Sequence, residues 1–370
     1  MNAELRAPFP WFGGKSRAAH IVWQAFGNVP NYVEPFYGSG AVLLGRPHVP
    51  KIETVNDADT YLANFWRATV ADPEAVARFC DHPVNEADLH ARHRWLVAQV
   101  DFRERMKTDP DFFDAKIAGW WVWGLSQWIG GGFCHVGGSK IWSRGNGSRP
   151  DLDGIGQGVH RKMPDLYTRG HGRGIRAAAP ERGERPPTKK LPNLSSHGGK
   201  GTGTTRLPSL GNARGVHGAE KPPCLEWFVA LRERLRRVRV CCGDWTRVLG
   251  DSVIGTTKSR NSGMNPCGVF LDPPYPEAER DGDLYGVDDG AVAHRVAEWA
   301  IEHGSDPDLR VAFCGYEGAH VFPATWTCVP WKAHRGYAAE GNDNKNRERI
   351  WFSPHCLPLV AAQGALFGEA

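Results

Sequence analysis

Residues 32–45, YVEPFYGSGAVLLG, contain the pattern that decides the fold: a strand-like run, a glycine turn and the start of a helix. A second strand-like run, KIETVND at 51–57, leads into YLANFWRATV at 61–70, which has the pattern of a helix. After residue 223 the same alternation returns in LEWFVALRERLRRVRV (225–240), GVFLDPPY (268–275), LRVAFCGYEG (309–318) and RERIWFSP (347–354). Strands and helices on both sides of an irregular insert predict an α/β fold, with one doubly wound sheet interrupted by an inserted region.

Changes in composition along the chain define three predicted blocks. Residues 1–75 are the first part of the α/β domain, 76–222 the inserted region and 223–370 the second part. Inside the insert, IAGWWVWGLSQW at 117–128 spaces its tryptophans as a helix does, which more often marks a core-facing stripe than a base-stacking surface. Residues 143–222 are rich in Gly, Pro, Arg, Ser and Thr, so we expect a flexible or extended arm unless a partner orders it.

The positive charge of the chain is concentrated in one region. The formal net charge is +4, but residues 143–240 carry a net +12 and the rest of the chain carries −8. Such an excess is typical of a surface that binds a polyanion such as nucleic acid. A solvated basic linker would have the same charge, so this pattern leaves both interpretations open.

Two features bear on the compartment in which the protein works. No apolar run approaches the ~20 residues that a membrane span needs, and the start MNAELRAPFP lacks the pattern of a signal peptide. The nine cysteines are scattered without a C-x-x-C pair, which favours free thiols over a disulfide framework or a zinc site. We therefore expect a cytoplasmic protein with no membrane contact and no metal.

The most informative chemical motif is Asp272-Pro273-Pro274-Tyr275, directly after the apolar run at 268–271. Residues at the carboxyl end of a buried strand in an α/β sheet project into the crevice where ligands bind. Two prolines stiffen the turn and keep their carbonyl acceptors, so the motif combines a carboxylate, carbonyl oxygens and an aromatic ring. An aminated heterocycle suits this set, because its NH2 donates twice and its ring can stack. A turn that simply ends a strand is the competing interpretation.

A second motif is the glycine turn Glu34-Pro-Phe36-Tyr-Gly38-Ser-Gly40. Its glycines would let the backbone approach a ligand at the sheet edge. The turn lacks both the full G-x-G-x-x-G pattern and a Walker lysine, which argues against a dinucleotide or a triphosphate. Asp57 follows about 20 residues later, at the end of the next strand-like run, where an acid can accept hydrogen bonds from ribose hydroxyls.

Four motifs occur in a diagnostic order: PFPWFGGK at 8–15, EPFYGSGAV at 34–42, VNDAD at 55–59 and DPPY at 272–275. In this order they resemble the D12-class, Dam-like N6-adenine DNA methyltransferase family, over roughly residues 6–70 and 225–355. The resemblance implies a seven-strand methyltransferase sheet and S-adenosyl-L-methionine as cofactor. It also implies a target-recognition domain between the cofactor loop and DPPY, which is where the basic insert falls.

The resemblance carries roles to individual positions. It implies cofactor contacts for Trp11 and Lys15, for the loop from Phe36 through Gly38 to Gly40, and for Asp57 as the ribose-binding acid. It implies that Asp272, Pro273, Pro274 and Tyr275 are the catalytic motif, with Asp272 also near the cofactor. By weaker matching, Asp244 would accept from the adenine amine of the cofactor, although a turn aspartate satisfied by its own backbone would fit the same pattern. Residues 335–349 resemble a basic loop close to DNA.

The predicted activity is methyl transfer from S-adenosyl-L-methionine to the N6 amine of adenine in double-stranded DNA, by a monomer that flips the base out of the duplex. A cytosine-N4 methyltransferase would use a similar motif but more often has Ser in the first position, and protein or RNA amine methyltransferases commonly have Asn there. A catalytically inactive DNA-binding protein on the same scaffold is the alternative from another class. The arm at 143–222 departs from the compact recognition domains of the family, so no target sequence is transferred.

Overall fold

The computed structural model describes residues 5–9, 11, 15–109, 111–128, 133–134, 224–255, 265–274, 291–331 and 347–359. The predicted arm at 143–222, the predicted catalytic Tyr275 and most of the predicted basic loop at 335–349 lie outside these residues. The predicted division into domains therefore stays a prediction.

Strands and helices alternate through the described residues. The helices are α1 (Ala19–Phe26), α2 (Ala41–Leu44), α3 (Thr60–Ala71), α4 (Pro73–Cys80), α5 (Glu86–Val97), α6 (Val100–Thr108), α7 (Ala115–Gln127), α8 (Cys224–Leu235), α9 (Asp251–Ile254) and α10 (Val292–His303). The strands are β1 (Asn31–Glu34), β2 (Ile52–Asp57), β3 (Val238–Cys242), β4 (Cys267–Leu271), β5 (Leu309–Tyr316), β6 (Thr327–Pro330) and β7 (Glu348–Phe352). Each strand predicted from the sequence is present.

Within the described residues, seven strands form one sheet in the order β3-β2-β1-β4-β5-β7-β6. The first five strands pair in parallel, and β7 runs antiparallel between β5 and β6. The carboxyl ends of β1 to β5 and the start of β7 therefore share one edge of the sheet. The predicted mixed α/β fold with a seven-strand sheet is confirmed.

Both faces of the sheet are covered, as the continuous apolar run of β4 requires. Phe270 packs in one cluster with residues of α1, α3 and α8, whereas Val269 and Leu271 pack in a second cluster with residues of α9 and α10. A Cβ at Gly268 would lie 2.9 Å from the ring of Phe26. Glycine at that position lets α1 pack closely against the strand.

The helices between β2 and the undescribed part of the insert belong to the first cluster. Asp72 and Pro73 begin α4, and the Asp114 carboxylate accepts from Ile117 N at the start of α7, so both helices have well-capped amino termini. Trp121 and Trp123 are fully buried in the core. The prediction that the tryptophan spacing marks a core stripe is confirmed.

A buried charge network attaches α8 to the sheet. Glu53 on β2 accepts from Arg46 at 3.1 Å and from Arg234 on α8 at 2.6 Å. Arg234 also donates to the carbonyl of Leu43 at 2.9 Å. Breaking such a buried pair typically costs about 3–5 kcal/mol, because it leaves a charge uncompensated. The network therefore holds α8 against β2 and α2.

Four elements were not predicted from the sequence: α1, α9, α10 and the edge strand β6. The residues of β6 are largely exposed, so they lack the alternating apolar pattern that marks a half-buried strand. No helix among the described residues combines the length and the apolar character that crossing a bilayer requires.

Candidate active site

The candidate site lies where the carboxyl ends of β1, β2 and β3 meet. Asn56 on β2 donates its side-chain NH2 to the carbonyl of Pro35 at 3.1 Å and to the carbonyl of Gly243 at 2.9 Å. Gly243 N in turn donates to the carbonyl of Asp57 at 3.0 Å. One buried amide thus fixes the loops after β1 and β3 on either side of β2.

Asp57, the predicted ribose-binding acid, ends β2 and is half-buried. Its Oδ2 accepts from Gly38 N at 3.0 Å and its Oδ1 accepts from Asp59 N at 2.9 Å. Each carboxylate oxygen keeps a second lone pair for a further donor. Burial raises the pKa of Asp57 to about 7, while the two backbone donors oppose this rise. A ligand hydroxyl that donates here would favour the ionised form.

Two glycines of the glycine turn have left-handed backbones and lie directly against aromatic rings. Gly38 has φ +47°, and a Cβ there would lie 2.5 Å from Trp11 Nε1. Gly40 has φ +66°, and a Cβ there would lie 2.6 Å from the Tyr37 ring. Only glycine fits both the backbone and the space. The structure therefore brings together Trp11, the glycine turn and Asp57, as the sequence predicted.

The other side of the crevice is formed by the turn after β3. Phe36 stacks on Trp245 with ring centroids 6.3 Å apart and an interplanar angle of 28°. The exposed Asp244 begins a short 3-10 helix over Trp245–Val248 and accepts from Thr246 N at 2.9 Å. The Thr246 side chain also bonds this carboxylate and lowers the pKa of Asp244. These bonds occupy Oδ1 alone.

The buried Lys15 and the half-buried Asp272 form an ion pair at the carboxyl end of β4. Asp272 directly follows β4, the neighbour of β1, and its Oδ2 lies 2.9 Å from Lys15 Nζ. Burial opposes the charge on Lys15, but Asp272, Cys314 and Glu348 raise the pKa of the ammonium above its usual value. Burial raises the pKa of Asp272, and Lys15 limits that rise. Each group thus keeps the other charged.

Pro273 and Pro274 continue from Asp272, with Pro273 buried and Pro274 half-buried. Neither residue has a backbone N–H, so their carbonyl groups act only as acceptors. The position of Tyr275 falls outside the described residues.

Sequence reasoning missed two further carboxylates near this ion pair. Glu34, at the end of β1, is 2% exposed and accepts from the Tyr32 hydroxyl at 2.9 Å. Glu348, at the start of β7, is 6% exposed, and its Oε2 accepts no hydrogen bond from the residues that the structure describes. Burial raises the pKa of Glu34 well above its usual range and the pKa of Glu348 to about 7. The signal in the sequence was an acid between two arginines at the start of a late strand, RERIWF.

The comparison with known families agrees with this geometry. Residues 11–109 match the family model of the D12 class N6 adenine-specific DNA methyltransferase. The resemblance seen in the motifs is thereby confirmed. The match covers less than a third of the 370 residues, including Trp11, Lys15, the glycine turn and Asp57, and it ends well before Asp272. No curated protein matches the chain significantly.

The residues present fit the cofactor that this methyltransferase family implies. The glycine turn lets Trp11 and Tyr37 pack directly against its backbone, and Asp57 beside it supplies a carboxylate suited to two neighbouring hydroxyls. The buried, unpaired oxygen of Glu348 shows that the site has an acceptor available for a polar or cationic group.

Proposed function

We propose that the protein transfers a methyl group from S-adenosyl-L-methionine to the N6 amine of adenine in double-stranded DNA. The observation that carries this proposal is the ion pair of Lys15 with Asp272. It joins the segment that matches the family model to the acidic turn after β4, which lies beyond that match. Two parts of the chain more than 250 residues apart thus complete one site.

The cofactor would be held by the glycine turn and the acids around it. Asp57 would accept from the ribose hydroxyls, and the backbone at Gly38 and Gly40 would allow close approach. Phe36 and Trp11 would provide apolar contact, and Asp244 would accept from the adenine amine with Oδ2. When bound, S-adenosyl-L-methionine supplies an activated methyl group on its sulfonium.

Asp272 acts on the methyl acceptor. The lone pair of the adenine amine is delocalised into the ring, which makes the nitrogen a poor nucleophile. Hydrogen bonds from the NH2 group to the Asp272 carboxylate and the Pro273 carbonyl would localise that lone pair, and Lys15 keeps the carboxylate ionised for this task. A fixed acceptor also orients the amine, and orientation can contribute on the order of 7–11 kcal/mol.

The partner in this proposal is duplex DNA, bound by the basic insert. An amine inside a duplex is out of reach of a buried carboxylate, so the adenine would be flipped out at a cost of a few kcal/mol, with Tyr275 stacking on it. The excess of basic residues within 143–222 would supply phosphate contacts that hold the duplex meanwhile. A monomeric state and a cytoplasmic location remain predictions from the sequence.

The experiment is a methyl-transfer assay on the full chain with labelled S-adenosyl-L-methionine and genomic DNA, followed by nucleoside analysis. We expect N6-methyladenine, and Asp272→Ala should reduce the rate by about 10²–10³. Asp101→Ala, which removes an exposed aspartate of α6, is the control and should keep the parent rate. An N4-methylcytosine product would show that the methyl acceptor is the N4 amine of cytosine and not adenine. Absence of any methylated base would refute the proposal.

A further inference from the structure

Glu348 lies on the same face of the sheet as Asp272. Leu271 pairs with Phe313 in parallel register, so Asp272 is level with Cys314 one residue further along. Cys314 pairs with Ile350, and Glu348 is two residues from Ile350 on the same strand. Because side chains alternate along a strand, Asp272 and Glu348 both project from this face, at the edge that holds the candidate site.

Trp331 contacts both the main chain of Glu348 and the side chain of Lys15. Trp331 N donates to the carbonyl of Glu348 at 3.2 Å, and the Trp331 ring lies 5.1 Å from Lys15 Nζ. Lys15 is 2.9 Å from Asp272 on its other side. The buried ammonium of Lys15 thus has the Asp272 carboxylate and an indole ring beside it, and the charge of Glu348 also raises its pKa.

Among the described residues that face Glu348, the acids outnumber the cations. The titratable groups that face it are Lys15, Asp272 and Cys314, with Glu34 further along the same edge. Burial raises the pKa of Cys314 well above its usual range, so the thiol stays neutral. Lys15 is already paired with Asp272 at hydrogen-bond distance. A second cation near Oε2 of Glu348 would remove an unfavourable buried charge.

We propose that Glu348 is a specificity-determining residue that favours the cationic S-adenosyl-L-methionine over its neutral product, S-adenosylhomocysteine. This inference rests on the proposed function. The two molecules differ in charge only at sulfur, which is positive before transfer and neutral after it. The methyl group must come within about 3–3.5 Å of the amine that Asp272 holds, so the sulfonium lies close to the same cluster. A carboxylate there stabilises the substrate and not the product.

Calorimetric dissociation constants test this directly. For Glu348→Gln we expect the Kd for S-adenosyl-L-methionine to rise about tenfold and the Kd for S-adenosylhomocysteine to change by less than about twofold. Glu348→Asp keeps the charge and should retain most of the preference. Glu302→Gln is the matched control, because it removes an exposed carboxylate of α10. Thermal melting of each variant checks that it folds.

Proton release provides a second measurement that a merely structural role would not change. With its pKa raised to about 7, Glu348 is partly protonated near neutrality, and a bound cation favours its ionised form. Binding of S-adenosyl-L-methionine should therefore release more protons than binding of S-adenosylhomocysteine, measured in two buffers that differ in ionisation enthalpy. Asp57 would contact the ribose, which both ligands contain, so its contribution to proton release cancels when the two ligands are compared. This difference should vanish in Glu348→Gln.

The outcomes separate the inference from the proposed function. If the wild-type protein binds both molecules and Glu348→Gln weakens them equally, or weakens neither, the role of Glu348 is wrong while the function stands. If Glu348→Gln does not fold, the inference is tested with Glu348→Asp and with proton release by the wild-type protein. Equal proton release on binding the two ligands then overturns the inference. If the wild-type protein binds neither molecule, the proposed function itself fails.

Discussion

Replacing Gly38 by Ala should weaken cofactor binding as well as lower stability. The change has two costs that the structure separates. A left-handed backbone costs a residue with a Cβ about 1–2 kcal/mol, and Gly38 has φ +47°. In addition, the new Cβ would lie 2.5 Å from Trp11 Nε1 and 2.7 Å from Trp11 Cδ1, where overpacking typically costs about 1–3 kcal/mol.

Gly318→Ala is the matched control for the first cost alone. Gly318 has φ +84° in the turn after β5, and nothing lies within 4 Å of its ideal Cβ position. Both variants should therefore lose about 1–2 kcal/mol of stability through backbone strain. Only Gly38→Ala should displace Trp11 and disturb the bond from Gly38 N to Asp57 Oδ2.

Chemical unfolding and calorimetry on the two variants measure the separate effects. We expect Gly38→Ala to be destabilised by about 2–5 kcal/mol in total and to raise the Kd for S-adenosyl-L-methionine at least about tenfold. Gly318→Ala should bind as the wild type does. The reasoning is wrong if Gly38→Ala binds with an unchanged Kd, or if the two glycine variants lose affinity to the same extent.

Three more predictions address the ion pair, the ribose acid and the insert. Lys15→Met should destabilise the protein by about 3–5 kcal/mol near pH 8 and by less near pH 5. Without Lys15 the pKa of Asp272 in the folded protein rises further, so Asp272 is neutral at low pH but becomes an unpaired charge as pH increases. Equal losses of stability in urea at both pH values would contradict this. Asp57→Asn should weaken S-adenosyl-L-methionine and S-adenosylhomocysteine alike, by about 1–3 kcal/mol in calorimetry, and unchanged constants would exclude the ribose assignment. Deleting part of residues 143–222 should flatten the slope of the logarithm of the DNA-binding constant against the logarithm of salt concentration, by about 0.9 for each lost phosphate contact. The methylated sequence should stay unchanged. A new target sequence would show that the arm itself reads the DNA.

Local patterns determined the elements that position the site. The apolar run at 268–271 and the helical spacing in 61–70 predicted a strand and a helix that the structure contains. The glycines at 38 and 40 predicted a close backbone approach, and their positive φ values confirm the need for glycine. These features depend on neighbouring residues, so one sequence is enough to predict them.

The sequence by itself thus determined the α/β class, the glycine turn, the acid at the end of β2 and the acidic turn after β4. Only the tertiary structure decided that Lys15 pairs with Asp272, that Glu348 lies beside them, and that β6 completes the sheet. The positions of these groups follow from strand order and from the antiparallel register of β7, which join residues hundreds of positions apart. An isolated acid in RERIWF carries no local sign of its partners, because burial and charge pairing arise only when distant segments pack.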